Sequence, residues 1–177
     1  TIRAPANAIR KQYAQLQPKL YRLAWSWCQN SEDAQDLVQE TWIKALERSN
    51  QLRDREKLLQ WMSRIMVNIH RDNQRRRHND TTLDQLDLPS QDITIDTIDR
   101  HEEIQRVQQA VAQLPLDQRM VLTLVDLMEF SYAEVAETLA LPIGTVMSRL
   151  SRSRRKLRLA LTVEKQAQKS RELWRVK

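Results

Sequence analysis

Glycine is almost missing from this chain, with one in 177 residues. Phosphate-cradling loops need several, so P-loop and dinucleotide-binding sites are excluded. Sheet folds rich in tight turns are disfavoured as well, because such turns repeatedly require positive φ. Cysteine is equally scarce: Cys28 stands alone. Neither an internal disulfide nor a cysteine-rich zinc site can form, which fits a reducing compartment. No apolar run approaches the ~20 residues of a membrane span, and the opening TIRAPANAIRK carries no signal-peptide core. The three histidines, His70, His78 and His101, are scattered. No serine or tyrosine has an acid–base neighbour at a telling spacing, so isolated surface histidines are expected, with no catalytic residues, metal or cofactor. What is present is 41% hydrophobic residues, enough for a packed core. The expectation is a soluble, cytoplasmic, all-helical protein without membrane insertion.

Charge is laid out in blocks. Residues 1–79 hold 15 Lys/Arg against 8 Asp/Glu, residues 80–103 hold 1 against 8, and residues 104–177 hold 13 against 7. Two basic blocks joined by an acidic strap suggest two polyanion-binding modules with a connector that polyanions would repel. The strap, NDTTLDQLDLPSQDITIDTID, lacks helical periodicity and has too little apolar surface to fold alone. The expected division is a first domain at 1–78, a linker at 79–99, a second domain at 100–162 and a tail at 163–177 that extends the last helix and frays.

In the first block, Ser31-Glu32-Asp33 precedes apolar residues at helical spacing (Ala34, Leu37, Val38, Trp42, Ala45) and reads as a helix start. The opposite face carries Asp36, Glu40, Ile43 and Glu47. Spacing alone leaves a solvated face and a docking face for a basic protein both open. The next helix, about Lys57 to Arg77, buries Leu58, Trp61, Met62, Ile65 and Ile69. Its far side presents Arg64, Asn68, Arg71 and Arg75. Guanidinium groups on one face can pair with phosphates, and an Asn can read a base edge. Trp25, Trp27, Trp42 and Trp61 fall on apolar stripes and are expected in the core.

In the second block, an amphipathic run from Ile104 to Leu114 is broken by Pro115, and a strongly apolar run follows from Asp117 to Leu127. Ser131-Tyr132-Ala133-Glu134 has the form of a capping box. The helix it starts lasts about two turns before Leu141-Pro142-Ile143-Gly144, and Thr145 opens a longer one. Two helices across a tight turn fit a helix-turn-helix, whose second helix enters the major groove. At 100° per residue, Val146, Leu150, Ser153, Leu157 and Leu161 share the inward face. Ser148, Ser151, Arg152 and Arg155 point away, a set of short donors and guanidinium groups suited to base edges. Arg149, Arg154, Lys156 and Arg158 flank them at angles suited to phosphates.

These stretches resemble the extracytoplasmic-function (ECF) sigma factors of bacterial RNA polymerase. SEDAQDLVQETWIKALE is similar to the family's region 2.2, and LLQWMSRIMVNIHRDNQRRR to its regions 2.3 and 2.4. LPLDQRMVLTLVDLMEFSYAEVAETLALPIGTVMSRLSRSRRKLR is similar to region 4. The resemblance implies two small helical domains, the C-terminal one a helix-turn-helix, and promoter-specific initiation, as in a stress or envelope response. It implies that Asp36, Gln39, Glu40 and Ile43 dock on the β′ clamp helices of core RNA polymerase. It implies that Arg64, Asn68, Arg71 and Arg75 meet the minus-ten element, with the Ser49–Arg55 loop holding a flipped base. Ser148, Ser151 and Arg152, flanked by Arg149, Arg154 and Arg155, would meet the minus-thirty-five element. An anti-sigma factor is an expected further partner. Three positions depart from the family pattern: Glu129 and Ala140 where glycine is frequent, and Met147 where Lys or Arg is frequent. The rival readings are a stand-alone helix-turn-helix regulator, which would need a dimerisation surface, and a DNA-processing enzyme, which lacks candidate residues.

Overall fold

The computed structural model describes the backbone of residues 9–80 and 98–175 and the side chains of residues 9–77 and 104–162. Helices α1 (Tyr13–Cys28), α2 (Ser31–Glu47) and α3 (Leu58–Asp80) form the first module, with a 3-10 turn at Ser49–Gln51 between the last two. Helices α4 (Ile98–Ala112), α5 (Leu116–Asp126), α6 (Tyr132–Leu139) and α7 (Ile143–Arg175) form the second. No strand occurs among the described residues. The acidic strap lies almost wholly outside them, as do the side chains of His78, His101 and Trp174.

Local chemistry explains where the helices begin. The side chain of Asn30, one residue before the expected start of α2, accepts from the Asp33 N–H at 2.7 Å. That satisfies a backbone donor left over at the N-terminus, and Glu32 and Asp33 sit where the helix dipole favours acids. The capping box of α6 is complete. The Glu134 N–H donates to Ser131 Oγ at 3.3 Å, while Glu134 Oε2 accepts from the Ser131 N–H at 2.8 Å. Glu129 (φ 60°) and Ala140 (φ 53°) both adopt the left-handed conformation. The turns on either side of α6 are therefore the ones glycine would make, built here with residues that strain to adopt them.

The apolar stripes face one continuous core. Ala34, Leu37, Val38, Trp42 and Ala45 of α2 pack with Leu58, Met62, Ile65, Met66 and Ile69 of α3. In α7, Val146, Leu150 and Ser153 are buried, and Leu157 packs half-buried against the same core. The Ser153 hydroxyl lies within hydrogen-bond reach of the carbonyls of Arg149 (2.7 Å) and Gln118 (3.1 Å), so its polarity costs little there. Trp27 and Trp42 are buried as expected; Trp25 and Trp61 are only half-buried, because each lines a groove. His70 corrects the expectation of a surface histidine, since the α3 stripe carries it inside at 4% exposure.

The two modules share that core and touch at two places. Trp27, at the end of α1, donates its indole N–H to Thr123 Oγ1 of α5 at 2.9 Å. Beside it, the Arg119 guanidinium reaches the carbonyls of Ser26 (3.3 Å), which also accepts from the Gln29 side chain, and Trp27 (3.4 Å) at the end of α1, where helical donors run out. At the second contact, Gln60 of α3 donates to Glu137 Oε2 of α6 at 3.1 Å. Arg71 donates to the Leu139 carbonyl at 3.1 Å.

Candidate nucleic-acid interface

The exposed side of α7 is ordered by its own hydrogen bonds. Ser148 Oγ donates to the Thr145 carbonyl at 3.1 Å. Arg152 donates from Nε to the Ser148 carbonyl at 3.2 Å and from Nη2 to Ser148 Oγ at 3.3 Å. The hydroxyl and the guanidinium thus lie side by side in solvent, in contacts that a base edge can replace. Ser151 and Arg155 are exposed on the same side, and Met147 adds an exposed thioether at 53%. Two of the cations expected to flank this face are ion-paired. Arg149 Nε lies 3.3 Å from Asp117, and Arg154 pairs with Asp126 at 2.5 Å. The hydrogen bond to Asp126 raises the Arg154 pKa above the usual arginine value. Both acids belong to α5, which a helical wheel of α7 cannot see.

The loop before α3, α3 itself and Glu137 and Thr138 of α6 line an open cavity of about 560 Å³. Arg64, Asn68 and Trp61 form one side, and Gln51, Arg53 and Lys57 of the loop form another. A half-buried indole amid amides and cations is the environment in which an unstacked base can be held. A second, polar groove of about 360 Å³ adjoins it, sharing Arg48, Ile65 and Asn68. Lys44 of α2 and Arg48 just after it there face Arg71 and Arg75 of α3. Sequence reasoning missed Lys44 and Arg48, because only packing of α2 on α3 brings them to the groove. Arg71 is less free than its wheel position implied: it is half-buried. Burial, then the Arg149 and Arg75 guanidinium groups, pull its pKa below the usual arginine value.

On the other side of α2, Asp36 and Gln39 are exposed and Ile43 is 56% exposed. Glu40 is half-buried and ion-paired to Lys44 at 2.8 Å. An isoleucine this exposed among carboxylates has no intramolecular use in the described structure.

Behind these surfaces, Cys28 and His70 meet in the interior, with Sγ 3.9 Å from Nδ1. Burial, with a smaller push from Asp33, raises the Cys28 thiol to about 12. Burial, then Arg119 and Arg77, lower His70 to about 4. Both groups are therefore neutral near pH 7. No cluster of three metal-ligating side chains occurs among the described residues.

A helix-turn-helix with exposed donors, joined to a module whose cationic helix borders an open polar cavity, defines a DNA-contacting protein of two parts. The chain matches Sigma-70 region 2 over residues 12–79 and Sigma-70 region 4 over residues 104–157. It is 31% identical to the ECF RNA polymerase sigma factor EcfG of Rhodopseudomonas palustris, over 89% of this chain and 87% of that protein. To SigW of Bacillus subtilis it is 29% identical, over 81% and 83%. Among solved structures, the sigma factor RpoE of Bartonella quintana, in complex with the anti-sigma factor NepR, superposes with a TM-score of 0.74. That match has 26% identity over 87% of this chain and 96% of that one. This chain belongs to the ECF sigma factors, which direct RNA polymerase to promoters.

Proposed function

We propose that the two surfaces divide promoter recognition between them, and that α2 carries the polymerase contact. In this reading, Ser148, Ser151 and Arg152 read base edges of the minus-thirty-five element in the major groove, and Arg149, Arg154 and Arg155 hold its phosphates. Arg64 and Asn68 meet an unpaired minus-ten base in the cavity beside Trp61, and Arg71 and Arg75 meet the strand's phosphates. Holding an unstacked base offsets an unstacking cost of a few kcal/mol. Asp36, Gln39, Glu40 and Ile43 dock on the β′ clamp helices, where carboxylates suit a basic partner. The working units are residues 1–78 and 100–162, with 79–99 as linker and 163–177 as tail.

The observation that carries this reading is the cavity. A pocket lined by Asn68, three arginines and a half-buried tryptophan is of little use to a protein that binds only duplex DNA. That separates it from a stand-alone helix-turn-helix regulator. The role is non-enzymatic, exercised in the cytoplasm where polymerase works, and an anti-sigma factor, such as the one bound to the Bartonella relative, is a fitting regulator. The test is run-off transcription with added core polymerase, together with a pull-down. Charge reversal of Asp36 and Glu40 is expected to abolish both; retained pull-down would remove the docking assignment.

A further inference from the structure

The first turns of α7 present two parallel rows to solvent. Gly144, Ser148 and Arg152 follow one another at four-residue steps, and Ile143, Met147 and Ser151 run beside them in the same way, so each row is a line of neighbours on the helix surface. The first row is polar and hydrogen-bonded within itself through Ser148 and Arg152. The second opens with two large apolar side chains, Ile143 at 50% and Met147 at 53% exposure. Apolar surface left bare beside donors suited to base edges is surface held for an apolar group of the same ligand. The major groove offers one such group, the C5-methyl of thymine, next to the acceptors that hydroxyls and guanidinium groups read. We propose that Met147, with Ile143 beside it, reads the methyl group of a thymine in the minus-thirty-five element. One base pair of the promoter is then specified by burial of a methyl group and not by a hydrogen bond.

This rests on the entry of α7 into the major groove proposed above. A recognition helix meets base edges with its N-terminal residues, and Met147 lies one turn into α7, which begins at Ile143. Uncharged, the thioether has nothing to offer a phosphate. Its unbranched stem can follow a methyl group whose position shifts with the local twist of the duplex, as a β-branched side chain could not. Gly144 agrees with a close approach at this end. Its φ is not positive, and an added Cβ would meet no protein atom within 4 Å, so neither the backbone conformation nor the packing calls for the chain's one glycine there. What it does is keep the first turn of α7 slim where the helix comes nearest to the DNA.

The test uses holoenzyme reconstituted from the full chain and core RNA polymerase, with a duplex library randomised across the upstream element. The library is made twice, once with thymine and once with uracil, which differs only in lacking the methyl group, and the sequences bound from each are compared. Wild type is expected to favour thymine at one position of the first library and to show that preference about fourfold weaker in the second, the value of one buried methyl group. Met147→Ala should bind both libraries with the same profile at that position and keep its other preferences. Met147→Lys should do the same while steepening the salt dependence of binding by about 1. A wild-type profile unchanged by uracil, or a methyl effect that survives Met147→Ala, would overturn the proposal. Arg152→Ala is the control for the reading beneath it. If it relaxes preference at another position while uracil changes nothing, the methyl contact alone fails. If neither Arg152→Ala nor Met147→Ala alters any preference, base reading by α7 fails with it.

Discussion

Glu129 and Ala140 show how single residues carry strain in this protein. Each holds a left-handed backbone that costs an L-residue roughly 1–2 kcal/mol. Glu129→Gly and Ala140→Gly should therefore each stabilise the fold, by about 1 kcal/mol, read as a raised urea midpoint with unchanged slope. No shift in midpoint would mean that the turns relax without cost. His70 has the opposite effect at acid pH. Its folded pKa of about 4 lies below the free value of 6.5, so the neutral form is the one the fold accepts. Stability is complete above about pH 6.5 and declines as pH falls toward 4, by ~3 kcal/mol in all. Urea midpoints at pH 7 and about pH 4.5 should differ for the wild type and much less for His70→Leu. Asp33, whose pKa is lowered chiefly by its hydrogen bond from Arg77, and Glu134, whose pKa is lowered by its hydrogen bonds from Ser131, lose their stabilising effect as pH falls through and below their ordinary 3.8 and 4.5, mostly beneath that window.

Among the elements, α7 was the most legible in the sequence. Its inward stripe of Val146, Leu150 and Ser153 and its outward Ser148 and Arg152 follow from 100° steps, and the structure has both. The capping box of α6 was legible because its chemistry is local, with three residues between cap and partner. Arg152→Ala should cost about 1–3 kcal/mol of promoter affinity in the polymerase complex and relax preference at one upstream base pair. A uniform loss over all sequences would make Arg152 a phosphate contact. The ion pairs of α7 could not be read from one helix, yet they have consequences. Arg155→Ala should lower the salt slope of binding by about 1. Arg154→Ala should lower it by less, because Asp126 already neutralises that guanidinium.

At the scale of the whole molecule, the sequence indicated two modules but not how they meet. Trp27 and Thr123 are 96 residues apart, and Gln60 and Glu137 are 77 apart. No periodicity links such pairs, and Arg119 looks from its neighbours like any exposed helix cation until the end of α1 lies beside it. The same is true of the cavity, whose walls come from a loop, α3 and α6. Because one core runs through both modules, unfolding should be a single transition. Trp25, Trp27, Trp42 and Trp61 lie in the first module, so tryptophan fluorescence reports mainly on that part while circular dichroism reports on all helices. Coincident urea curves are expected; a fluorescence transition displaced from the dichroism would mean that the modules unfold independently.

The lone sulfhydryl has a last implication. Held protonated at any physiological pH, Cys28 offers no thiolate to peroxide, nitrosating agents or electrophiles. Burial of this one thiol therefore makes it a poor site for oxidant chemistry in the fold.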